Sequence, residues 1–255
     1  MKSCWFFLQK EIAEHIRTWR LLILSAVFLL FGMISPATAK FTPEILKMAG
    51  ADSGMVIQMP PVIVTDSYLQ FFKNMNSMGV IVILLVFAGI VVGEKVKGSA
   101  QLILTKNISR WAFVLAKYLG GALLWTVVYA AGALVCWCYA LWFFPGESAA
   151  HLPVAFAAYW LYGLLLLAFT VLASAAARGQ GLATLGAFAG WGALLLSMVP
   201  PQLAKVSPAV LGSANLAVIL SAMPVGDLLV PALLAVALIA LSLGGAILAL
   251  SRQEL

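Results

Sequence analysis

The chain has 255 residues, 64% of them hydrophobic and only 9% charged, with a mean hydropathy of +1.06. A soluble domain is about one quarter charged, so this composition excludes a soluble globular protein and points to a polytopic, all-α membrane protein. The net charge of +6 would suggest nucleic acid in a soluble chain; here basic loops on one side of a membrane account for it, and no nucleic-acid partner is expected.

Taken in order, residues 1–20 put Trp5, Leu8, Ile12, Ile16 and Trp19 on one helical stripe, with Lys10, Glu14 and Arg17 opposite. Lys10 and Glu14 form an i,i+4 pair, and the whole reads as a helix lying in the membrane interface. Residues 21–36 are expected to be the first span. They are followed by Ala37-Thr38-Ala39, which has the form of a signal-peptidase site and makes a cleaved signal peptide the alternative. The long amphipathic leader favours an uncleaved span that tilts or thins the bilayer. Residues 37–76, with Pro43, Pro60, Pro61 and the acids Glu44, Asp52 and Asp66, read as an external loop. The second span is expected at 77–93, about 25 Å long and just enough to cross the hydrocarbon.

The basic stretch that follows sets Lys95, Lys97, Lys106, Arg110 and Lys117 against one acid, Glu94. Val96, Leu102 to Leu104 and Ile108 recur through it at helical spacing, which suits a docking element better than a loop that only fixes topology. A third span at 111–144 closes on Trp142, Phe143 and Phe144, an aromatic belt. The fourth is placed at 154–177 and the fifth at 181–199. In the fifth, Gly186 and Gly190 stand four apart and would let another helix approach closely. Residues 200–227 are too short and too polar for a comfortable span and read as a re-entrant or interfacial segment. A sixth span at 228–250 ends the chain. With both termini inside, eleven basic residues lie within (Lys2, Lys10, Arg17, Arg20, the five of the central stretch, Arg178 and Arg252) and four outside, at Lys40, Lys47, Lys73 and Lys205.

The chemistry missing from the sequence narrows its function. Ionisable groups are almost absent from the spans, which argues against ion-coupled transport. Cys136 and Cys138 have no neighbouring His or third Cys, so no metal site is expected, and three cysteines make no disulfide framework. Two histidines form no nucleophile–base pair, so no catalytic residue is assigned. The string from Gly89 to Val96 has the wrong spacing for a phosphate-binding loop and lacks its Ser/Thr, so the chain binds no nucleotide cofactor by itself. If transport is driven, another polypeptide supplies the energy. A secondary transporter or channel, and a non-transporting membrane assembly or sensor subunit, are the alternatives.

Several residues resemble a known family. Lys10, Glu11, Glu14 and Arg17 precede the first span; Glu94, Lys95, Gly98, Ser99, Leu102 and Leu104 follow the second; Ile108-Ser109-Arg110 and then Val114-Leu115-Ala116-Lys117 lead into the third. Together they resemble the permease subunit of a type-2 ABC transporter of the prokaryotic exporter class. That resemblance implies six spans, an N-terminal elbow helix (Trp5, Glu11, Glu14, Arg17) and a cytoplasmic coupling helix between spans two and three. It implies that Glu94, Lys95, Gly98, Ser99, Leu102, Leu104, Ser109 and Arg110, within 94–110, meet a separate ABC ATPase that carries ATP and Mg. It also implies a second permease copy or paralogue, and a plasma-membrane location with both termini cytoplasmic. The sequence departs from the family at Asn107, where proline is common.

Overall fold

The computed structural model describes residues 9–11, 13–14, 17–51, 61–98 and 109–253, the side chains of 46, 47 and 49–51 apart. The described residues are mostly helical, joined by turns and short irregular links, with no strand among them. Five helices are long and apolar enough to cross a membrane: Trp19–Ile45, Val64–Val96, Arg110–Phe143, Leu152–Ala176 and Val225–Ser251. A sixth, Gln180–Leu196, is apolar but has 17 residues, about 25 Å of helix. Helices apolar on every side are stable only where lipid or protein surrounds them, and their own backbone bonds remove the need for water. The chain is therefore a multi-pass membrane protein.

The six elements alternate in direction. We label the complete first helix α1 (Trp19–Ala51); the second span comprises α2 (Val64–Asn74), a π-helical turn at Met75–Gly79, α3 (Val80–Phe87) and α4 (Val92–Val96). Then come α5 (Arg110–Phe143), α6 (Leu152–Ala176) and α7 (Gln180–Leu196). The short helices α8 (Pro201–Ala204), α9 (Val210–Ser213) and α10 (Asn215–Ile219) fill the segment before α11 (Leu229–Ser251). Residues 9 and 253 consequently sit at the same end of the bundle, with α4 and the start of α5.

The region between the first two spans departs from the sequence expectation. The external loop placed at 37–76 is largely helical: α1 continues to Ala51, and α2 begins at Val64 as part of the second span rather than at residue 77. Pro36 and Pro43 lie inside α1 without ending it. Each removes the backbone donor to the carbonyl four residues earlier, Gly32 O or Ala39 O. Hydroxyls beside them donate to other carbonyls of the helix: Ser35 Oγ to Phe31 O at 2.6 Å, Thr38 Oγ1 to Ile34 O at 3.0 Å, and Thr42 Oγ1 to Thr38 O. A sequence reading that treats proline as a boundary stops too early here.

Two features set the packing. α1 crosses α5 at Gly32 and Gly132, where a β-carbon on Gly32 would stand 2.5 Å from Gly132 O and one on Gly132 would stand 2.8 Å from Phe28 O. Only glycine lets the backbones come that close. Beside the crossing, an aromatic run fills the centre: Phe28 meets Trp125 edge-on at 5.5 Å, Trp125 stacks on Tyr129 at 4.9 Å, and Tyr129 on Tyr159 at 5.8 Å. Trp125 Nε1 donates to Trp160 O and Tyr129 OH to Phe156 O, while the buried Tyr159 hydroxyl has no partner among the described residues. The π turn brings further polar groups to bear, with Asn74 Nδ2 donating to Ser35 Oγ at 3.0 Å and Asn76 Nδ2 to Gly212 O at 2.6 Å. The 200–227 segment is thus tied to the second span, and its helices of four or five residues are too short to cross.

Candidate functional site

Where the elbow, α4 and α5 meet, a cluster of ions is buried. Lys117 lies two turns into α5 on its inward face and is fully buried, as are its neighbours Phe113, Val114 and Ala116. Its Nζ stands 2.7 Å from Glu11 Oε2 and 2.8 Å from Glu94 Oε1, with the Phe113 ring centre 5.8 Å away. Glu11 is 0% and Glu94 8% exposed. Lys10 closes the cluster from its wetter side: its Nζ is 2.6 Å from Glu94 Oε1, 3.3 Å from Glu11 Oε1 and 3.4 Å from Glu14 Oε2. Oxygens of Glu11, Glu14 and Glu94 all fall within 4.8 Å of one another, and the two ammonium groups supply the positive charge such a grouping demands.

The cluster joins three parts of the chain that are distant in sequence. Taking these ions out of water is costly, and they repay it only as a set: with one partner removed, the remaining buried charge destabilises by about 3–5 kcal/mol. The elbow carboxylates respond oppositely. Burial dominates at Glu11 and holds its carboxyl above the usual range, against the pull of Lys117 and Lys10. Burial also acts on Glu14, but the attraction of Lys117, Lys10 and Arg20 outweighs it and holds that carboxyl low. Partial burial works against the charge on Lys10, yet its bond to Glu94 and the nearby acids raise it well above 10.5.

Glu94 is aimed by a break in the second span. The α-helical ladder stops at Phe87, Ala88–Val91 form a turn, and α4 restarts at Val92. The amides of Val91 and Val92 both donate to Ser174 Oγ of α6, each at 3.0 Å. Lys95 Nζ donates to Ala175 O at 2.9 Å and Ala177 O at 2.7 Å, and Gln253 Nε2 reaches Ala175 O and Ala176 O, so the carbonyl end of α6 is capped from two sides. Arg110 NH1 caps the end of α11 in the same manner, on Leu250 O at 3.1 Å and Ser251 O at 2.6 Å. α4 ends in a turn at Gly98, whose φ of +72° favours glycine. Ser109 is exposed and caps α5, its carbonyl accepting from Phe113 N at 3.1 Å.

Of the sequence-assigned residues, Glu94, Lys95, Gly98, Ser109, Arg110, Glu11 and Glu14 come together at this end, with Arg17 exposed on the elbow. Trp5, Ser99, Leu102 and Leu104 lie outside the described residues. Gly186 and Gly190 are elsewhere, on α7 against α6, where added β-carbons would meet Ala173 Cβ at 3.0 Å and Phe169 at 3.4 Å. Sequence reasoning missed Lys117, Lys10 and Ser174 as site residues. Lys117 carried a usable signal, being a cation about two turns inside an apolar run; Ser174 carried none.

A model of the ABC-2 family transporter proteins matches residues 5–246, almost the whole chain. The chain belongs to the ABC-2 transporter family. It is also similar to the uncharacterized transmembrane protein YxlG of Bacillus subtilis (strain 168), 23% identical over 198 residues that cover 74% of this chain and 77% of that protein. In the ABC-2 family this is a membrane transport permease, and the buried cluster belongs to its elbow end.

Proposed function

We propose that the chain is the translocation subunit of an ABC exporter, driven by a separate ATPase that binds Mg-ATP and grips the 94–110 stretch. The observation that carries this reading is the cluster of Lys117, Glu11 and Glu94, because it links the first residue of that stretch to the elbow and the third span at once. The inner charges take a mechanical role: Glu94, Lys95 and Arg110 are engaged within the chain, so the partner meets the surface between them while they pass its movement to four helices. The elbow end is cytoplasmic in this reading, following the eleven-to-four bias of basic residues. A second permease copy or paralogue completes the path within the plasma membrane, and spans of mostly small and aromatic residues suit a lipid-like, drug-like or peptide cargo, with an ion as the alternative.

The test looks for a Walker-type ATPase in the adjacent reading frame, co-expresses the chain with it and reconstitutes the purified complex in liposomes. We expect the ATPase to co-purify stoichiometrically and its turnover to depend on the permease. Val96→Asp alters an exposed apolar residue of this end and should weaken capture about tenfold, a loss near 1.4 kcal/mol. An ATPase that fails to bind the folded wild-type chain would overturn the proposal.

A further inference from the structure

We infer that Ala88–Val91 is a joint in the second span and that Ser174 is the positioning residue that makes α4 turn with the fourth span; this rests on the function proposed above. The helix above the turn and the five residues below it are held by different means. α3 is a continuous α-helix buried through Val80, Ile83, Leu84 and Phe87. α4 is joined to it only by the turn, in which Ile90 N reaches Phe87 O and Gly93 N reaches Gly89 O. At the turn, Val91 and Val92 offer amides that no longer have a carbonyl one helical turn back, and both go to the same hydroxyl on α6. A buried amide left without an acceptor costs about 1–3 kcal/mol, so two of them fix α4 to Ser174 more firmly than apolar contact would. Lys95 adds two bonds to carbonyls within three residues of Ser174.

The geometry therefore divides the second span by the kind of attachment. α4, carrying Glu94, is fastened to the end of α6 by polar bonds, while the upper helix packs on α6 through apolar side chains that can slide as it pivots at Gly89, where the nearest group to an added β-carbon is the flexible Gln180 amide at 3.5 Å. A push on the 94–110 stretch would move α4 and α6 together and bend the second span at Ala88–Val91. A hydroxyl at 174 is the requirement; the Cβ of serine contributes nothing to it.

The test uses the full chain in lipid nanodiscs, with its three cysteines replaced by alanine and spin labels on exposed positions. One pair joins Ile81→Cys to Val96→Cys across the turn, and the other joins Ala157→Cys on α6 to Val96→Cys. We expect a broad distance distribution for the first pair and a narrow one for the second. Ser174→Ala should broaden the second pair and speed hydrogen exchange of 88–96 about tenfold, and Ser174→Thr should restore both. Equal widths for the two pairs would remove the joint. Unchanged exchange and an unchanged second pair in Ser174→Ala would remove the serine's role. Neither measurement needs a partner, so failure of ATPase capture would overturn the function while leaving these results to stand.

Discussion

At the elbow end, helices are joined by ions on ions and by long cationic or amide side chains laid on free carbonyls; at the opposite end, Lys40 and Glu147 join helices through backbone or an aromatic face. There, Lys40 Nζ donates to Phe143 O at 2.8 Å and stands 5.4 Å over the Phe144 ring, while Glu147 Oε2 accepts from Val64 N at 2.7 Å. The two kinds of junction fail differently. A charge on a carbonyl or a ring can be lost and water can replace it, whereas a buried ion set loses its balance when any member goes. The elbow end thus has a junction that is all or none, which suits a place where force enters, and the far end has one that yields by degrees.

The sharpest way to break the contrast is Lys117→Met. It leaves Glu11 and Glu94 together with the half-exposed Lys10 as their remaining shared cation, and should destabilise the protein by about 3–5 kcal/mol. Thermal unfolding in detergent measures this, and adding Glu11→Gln with Glu94→Gln should recover most of the loss. A shift no larger than that of a surface substitution would mean that the cluster is solvated and the contrast false. Lys40→Gln, the matching change at the far end, should cost below about 1 kcal/mol in the same assay. If it costs as much as Lys117→Met, the two ends are not different in kind.

The all-helical, multi-pass fold was legible because long apolar runs leave few alternatives in a membrane. What the residues hid was continuity. Pro36 and Pro43 read as punctuation, yet α1 runs through both to Ala51. The reverse happened at Ala88–Val91, where an unbroken apolar string conceals a broken helix, because the acceptor that permits the break is a serine 82 or 83 residues away. The site was half legible. Glu94, Glu11 and Glu14 stood out as acids in a chain with few, but their common partner Lys117 had been counted as one more basic residue near a span end. Pairing at that distance in sequence is a property of packing, and no local pattern encodes it.

The smallest effect separates the outer shell of the cluster from its centre through pH. Glu14 is held below the usual 4.5, by cations that outweigh its burial. A lowered folded value means stability that is present above pH 4.5 and lost as pH falls through the folded value. Glu11 is held above 4.5, chiefly by burial, so its contribution has the opposite sign: it is present below pH 4.5 and lost as pH rises through its folded value. Melting temperatures taken from pH 7 down to pH 3 should therefore show Glu14→Gln below the wild type at neutral pH, with the gap closing in acid. Glu11→Gln should also fall below the wild type at neutral pH, since Lys117 loses a buried carboxylate, but its gap should widen in acid as the wild-type carboxyl takes up its proton. Parallel curves for the two variants would place both carboxylates in the same surroundings, and the division between a dry centre held by Lys117 and a wet edge held by Lys10 would have to be given up.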